Sequence, residues 1–301
     1  MGVVIGVTLL GATGCGRLLG LGGGTASSAG ASTPASARSA RSGAVPSVTV
    51  PASSAPVVAG THPAPSGNAT SEATAGKGSG ASGLVLAGKV VGLDPGHNGG
   101  NFTHLAYIDH QIWNGREWED CNTTGTSTDG GYTEALFNFR VASYLRADLL
   151  ADGASVVMTR TSDSGVGPCV DERAAIINHA HANVGIAIHA DGAAPGGRGF
   201  AILVPVADGP NDQVISSSLA FAGDVRTAML TGTPMPVSNY DGVDGVQPRD
   251  DLAGLNLAQV PMALIEVGNM RNATDAALET SPTFQQEVAK ALCAAIVAFL
   301  T

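Results

Sequence analysis

Three apolar runs, each rising to a polar residue, limit what this chain can fold into. VVGLDPGHNGG (Val90 to Gly100) ends an apolar strand in Asp, Pro, Gly and His where a loop begins. NVGIAIHADG (Asn183 to Gly192) closes on His189, and PMALIEVGNMRN (Pro261 to Asn272) carries Glu266. Strands apolar on both faces belong to a buried sheet, and polar residues at their ends mark the edge where such sheets carry sites. Between the first two runs, Glu134 opens the helical stretch EALFNFRVASYLRADLLADG. Two histidines and a carboxylate are a zinc ligand set with one position left for water.

Strand-like runs cover 89–93, 154–160, 184–189, 199–204 and 261–267, and helical patterns cover 134–151, 171–182, 216–230 and 282–300. This alternation predicts an α/β fold in a single domain: a mostly parallel central sheet, helices on both faces, and a zinc site at the strand ends. Gly153 stops the first helix, Asp171 and Glu172 favour the start of the second, and Ser281-Pro282 opens the last. The stretch 98–133, with Trp113, Trp118 and Cys121, is too long for a simple connection and implies a hairpin or a functional loop.

Residues 22–83 are mostly Ala, Ser, Gly, Pro and Thr, without Leu, Ile or an aromatic. Such a segment cannot offset its ordering entropy by burial and reads as a disordered linker, leaving 84–301 as one folded domain. Residues 1–21 hold an apolar stretch of signal-peptide length, though without the usual preceding Lys or Arg. Cys15 follows Ala-Thr-Gly and loosely resembles a lipoprotein cleavage site. Export to a periplasm or cell wall is the expectation; a lipid anchor through Cys15 and an uncleaved apolar anchor are alternatives.

A net charge of −10 with 15 Lys and Arg argues against nucleic acid and against an anionic membrane surface. Membrane attachment is therefore expected through the N-terminus only, and the domain is expected to be a monomer. Cys121 and Cys169 lie in Gly/Thr/Asp/Pro-rich loops, which predicts a Cys121–Cys169 disulfide in an oxidising compartment. Cys293, inside EVAKALCAAIVAFL, reads as a small core residue.

Taken in order, LDPGHNGG, Glu134, VDERAAIINHAHANVGIAIHADG and DLAGLNLAQVPMALIEVGNMRN resemble the zinc-dependent N-acetylmuramoyl-L-alanine amidases of the amidase-3 family, which hydrolyse bacterial peptidoglycan. CNTTGT and GPCVDER are similar to a short mycobacterial-type subgroup with a disulfide. The resemblance runs from about Val90 to the C-terminus. It implies that His97, Glu134 and His189 bind Zn2+ and that Glu266 is the catalytic carboxylate. Such a ligand set lowers the pKa of bound water toward about 7. Glu266 would take a proton from the attacking water and deliver it to the departing L-alanine nitrogen.

Each residue also has a plainer reading. His97 could cap the Pro-Gly turn and His189 could be a satisfied core histidine. Glu134 could complement a helix N-terminus, with Glu119 and Asp120 as competing ligands. Glu266 could pair with Arg173 or Arg249. Those two arginines could instead grip a stem-peptide carboxylate as substrate-binding residues, and Arg173 could equally hold loops together. Trp113 and Trp118 could stack on sugars, although packing within a hairpin is the commoner use. Two other functions compete: a zinc peptidase or deacylase acting on another amide, and a non-catalytic wall-binding regulator. The absence of HExxH argues against the commoner zinc-peptidase layout.

Overall fold

The computed structural model describes residues 84–301. The readings for 1–21, Cys15 and 22–83 lie outside the described residues. β1 (Val90–Pro95) leads through α1 (Leu105–Ile108) to β2 (Gln111–Trp113) and β3 (Trp118–Asp120). Then follow α2 (Glu134–Ala151), β4 (Ser155–Met158), α3 (Val170–His179), β5 (Val184–Asp191), β6 (Ala201–Pro205) and α4 (Ile215–Gly232). The chain ends with β7 (Val246–Arg249), α5 (Ala253–Asn256), β8 (Met262–Asn269), α6 (Ala273–Glu279) and α7 (Pro282–Leu300).

The main sheet has the order β4-β1-β5-β8-β6-β7. All its pairs are parallel except β6 with β8, so the expected mostly parallel α/β sheet is present. β7 escapes notice in the sequence because Val-Gln-Pro-Arg lacks an apolar run. Its proline is tolerated because β7 is an edge strand. β2 and β3 form a separate antiparallel hairpin within the 98–133 insertion.

Strand parity divides the side chains between two layers. Val91 and Leu93 of β1, Ile186 and Ile188 of β5, and Ala263 and Ile265 of β8 join the larger core with Phe137, Phe221 and Phe284 from α2, α4 and α7. Ala187 and Leu264 point the other way, into a smaller cluster with Ile177 of α3 and Leu255 of α5. α7 is long and apolar enough, by length and composition, to cross a bilayer, but here it packs against α2 and α4.

Local signals set the helix limits. The Thr133 hydroxyl accepts from Leu136 N at the start of α2, and Gly153, with φ +90°, follows its end. Pro282 occupies the first turn of α7. The predicted Cys121–Cys169 disulfide forms and packs with Ile112 and Ala253, pinning the hairpin and the start of α3 to α5. Cys293 is fully buried on α7, as expected for a small core residue.

Candidate metal centre

β1, β5 and β8 are adjacent, so their C-terminal ends meet in one place. In the β5–β8 register His189 stands opposite Glu266. β1 continues through Pro95 and Gly96 to His97, and α2 brings Glu134 over the edge from the other layer. Nε2 of His97 lies 3.0 Å and Nδ1 of His189 lies 2.9 Å from Oε1 of Glu134. The three candidate donors are all within 4.8 Å of one another.

The backbone that presents His97 is held by two buried arginines. His97 has φ +57°, a left-handed conformation that a non-glycine residue adopts only when its surroundings impose it. The Pro95 carbonyl accepts from Arg160 Nε at 2.8 Å and Arg173 Nη1 at 2.9 Å. The Gly96 carbonyl accepts from Arg160 Nη2 at 3.2 Å, and the His97 carbonyl from Arg173 Nη2 at 2.9 Å. Arg173 also binds Asp94 at 2.7 Å. Burial would raise the Asp94 pKa, but Arg173 and the Thr159 hydroxyl hold it below the ordinary range. Burial lowers the Arg160 pKa to about 10, which leaves the guanidinium charged.

Glycine is required where the rings approach the backbone. A Cβ on Gly96 would fall 2.1 Å from the His189 ring, and one on Gly125, with φ +71°, would meet both Glu134 and His97 at 2.8 Å. Further contacts orient the donors. Thr123 O lies 3.2 Å from His97 Nδ1, favouring the tautomer that leaves Nε2 free to ligate. Glu134 accepts from Thr126 N at 2.9 Å and from Asn138 Nδ2 at 3.3 Å. Burial would push Glu134 up, but the two imidazoles hold it well below the usual carboxylate range. Two imidazole nitrogens and a carboxylate, anchored from behind and free of packing glycine side chains, fit a borderline transition-metal ion.

Glu266 stands beside this group without belonging to it. Its buried Oε2 has no hydrogen-bond partner. Burial pushes its carboxyl well above the usual range, reinforced by Glu134, Asp191 and Asp241. A cavity of about 170 Å³ opens next to His97 and His189, with Ala187, Leu255 and Leu264 on its apolar side and Glu119 and Asn122 on its polar side.

The other candidates fall elsewhere. Both arginines pair away from Glu266: Arg173, 1 % exposed, ties β1 to α3, and Arg249 binds Asp251 at 2.6 and 2.7 Å. Glu119 accepts from Ala253 N at 3.3 Å, and Asp120 accepts from Gln111, so neither joins the three donors. Among the described residues, one other group, His110 with Cys121 and Cys169, has metal-ligand composition, but its two sulfurs are in the disulfide. Sequence reading passed over Arg160, Asn138, Thr123 and Thr126. Only Asn138, four residues after Glu134 on one helix face, had a local signal.

Comparison with known proteins gives a family and several relatives. The family described as N-acetylmuramoyl-L-alanine amidase matches residues 91–298. The amidase Rv3717 of Mycobacterium tuberculosis is 41% identical over 222 residues, covering 71% of this chain and 88% of that protein. The amidase Ami1 of Mycobacterium smegmatis superposes with a TM-score of 0.68 at 42% identity, covering 71% of this chain and 98% of that one. A germination-specific amidase of Bacillus subtilis is 26% identical over 232 residues, covering 72% of this chain and 82% of that protein.

Proposed function

The chain belongs to the N-acetylmuramoyl-L-alanine amidase family, and from that premise we propose that it cleaves the amide between N-acetylmuramic acid and L-alanine in peptidoglycan with a zinc ion held by His97, Glu134 and His189. The observation that carries the reading is the convergence of those three donors within 4.8 Å, with Glu266 opposite His189 in the sheet. When bound, zinc supplies a Lewis acid that polarises the lactyl carbonyl and makes water acidic enough to attack near neutral pH.

The chain's own residues supply positioning and proton transfer. Arg160 and Arg173 hold the His97 loop, and Thr123 selects the tautomer of His97. Glu266 accepts the proton of the attacking water as oxygen bonds to the carbonyl carbon. The C–N bond then breaks, and Glu266 passes that proton to the nitrogen of L-alanine. Burial suits this double duty: a carboxylate made more basic by its surroundings takes a proton readily and keeps it until the nitrogen becomes the stronger base. The products are a free lactyl carboxyl and a peptide beginning with L-alanine.

Residues 84–301 are read as the catalytic domain, acting as a monomer. Peptidoglycan lies outside the plasma membrane, so the protein is read as exported, in keeping with the Cys121–Cys169 disulfide. Of the two arginine candidates, Arg249 is the one for which a stem-peptide carboxylate can compete, since its partner Asp251 is itself partly exposed. The test is digestion of purified peptidoglycan with and without a chelator, followed by mass spectrometry. Expected are stem peptides beginning with L-alanine, lost on chelation and restored by zinc. Cleavage within the peptide would mark a peptidase and overturn the reading, as would intact sheets from zinc-loaded protein.

A further inference from the structure

Burying an indole is among the larger apolar gains available to a fold, so tryptophans are seldom left open to solvent. This chain has two, Trp113 and Trp118. They face each other across the β2–β3 hairpin and are 47% and 65% exposed. Their rings meet edge-on with centroids 5.7 Å apart. Alternation puts Gln111 and Asp120, hydrogen-bonded to each other, on the same outer face. On the inner face Ile112 packs against the disulfide, and Glu119 accepts from Ala253 N. The tip is tied down by Arg116, which pairs with Asp208 at 3.1 Å and Asp250 at 3.3 Å. The hairpin is therefore an anchored platform whose aromatic side is covered by none of the described residues.

We propose that this outer face binds the glycan strand of peptidoglycan, with the C–H faces of pyranose rings on the indoles and ring hydroxyls on Gln111 and Asp120. The proposal rests on the amidase reading, because an amide joining sugar to peptide brings a glycan on its acyl side. Continuity selects this occupant. Asp120 lines the cavity that opens beside His97 and His189, and two strand positions, about 7 Å, separate it from Trp118. The neighbouring Glu117 and Asp120, in a chain of net charge −10, repel an anionic lipid surface.

Because both tryptophans lie on the platform, fluorescence of the full chain excited selectively at tryptophan reports on it alone. Chelator-treated protein is titrated with glycan strands stripped of stem peptides, which lack the scissile bond. A saturable change in tryptophan emission is expected, with binding weakened on the order of ten-fold in Trp118→Ala and largely restored in Trp118→Phe. No change on titration overturns the proposal; so does a change that follows protein concentration without saccharide, marking a second copy as the occupant, or one seen only with lipid vesicles. In zinc-loaded protein, Trp118→Ala should raise KM for strand-linked substrate about ten-fold and leave a muramoyl monosaccharide peptide unaffected. Equal loss on both substrates assigns the hairpin to the catalytic centre and removes the glycan role. Failure of the zinc-loaded wild type to cut either substrate refutes the amidase reading instead, independently of the saccharide titration.

Discussion

On one side of the sheet, α2, α4 and α7 bury a continuous core that includes Phe137, Leu145, Phe221, Phe284 and Leu292. On the other, α3 and the single-turn α5 cover a smaller cluster around Ile177, Leu255 and Leu264. Parity sends Asp94, His189 and Glu266 to the thinner side, where the 98–133 insertion also lies. Close packing there would leave no room for a substrate; the thick side can be filled completely because nothing must enter it. The fold thus separates stability from chemistry, except at one knot. Arg160 and Arg173 hold both the sheet's end and the backbone of His97.

That contrast predicts different consequences for substitutions on the two sides. Glu266→Gln should lower kcat by about 10²–10⁴-fold while leaving the urea midpoint and bound metal unchanged; retained activity would remove Glu266 from the mechanism. Arg173→Ala should cost about 3–5 kcal/mol in urea unfolding, since it leaves the charge of Asp94, 7% exposed, without its partner. Metal affinity should fall with it, because the His97 carbonyl loses its anchor. Unchanged metal affinity in a folded Arg173→Ala protein would disconnect the knot from the site. Leu145→Ala, on the thick side, should cost about 2–5 kcal/mol by cavity formation, yet kcat/KM per folded molecule should stay as in the wild type. A matching fall in kcat/KM would show that the two layers are not separable.

The smallest effect concerns Glu119 on the thin side. Burial raises its pKa from 4.5 to about 7. The folded state therefore binds more protons than the unfolded state between those values, and stability should decline as pH rises through that window. Because Glu119 is only half buried, solvent screening limits the change to about 1 kcal/mol. Denaturation midpoints of wild type and Glu119→Gln between pH 4.5 and 7 should diverge in that sense; parallel profiles would show that the carboxyl ionises freely.

The long elements were legible because their signals are local. Apolar runs at β5 and β8, the periodic pattern of α2 and α7, Gly153 and Pro282 each act through neighbouring residues. The short elements β7, α5 and α6 were not, since four to seven residues without an apolar run or a long period are held by tertiary contacts. At the site, His97, Glu134, His189 and Glu266 stood out because polar groups at the ends of buried strands, or inside one, need an explanation. Arg160 did not, because an arginine that ends a strand-like run reads as surface until its partners are known.

By itself, then, the amino-acid sequence determined the order and kind of the principal elements, the candidate residues for holding a metal and moving a proton, and the pairing of Cys121 with Cys169. The tertiary structure alone decided the strand order that makes β1, β5 and β8 neighbours, the left-handed backbone of His97, and the commitment of Arg173 to Asp94 and three backbone carbonyls. The division has a physical cause. Periodicity, capping and turn chemistry act over a few residues, whereas strand order and the partners of a buried charge join residues such as Asp94 and Arg173 that meet only when the whole sheet closes.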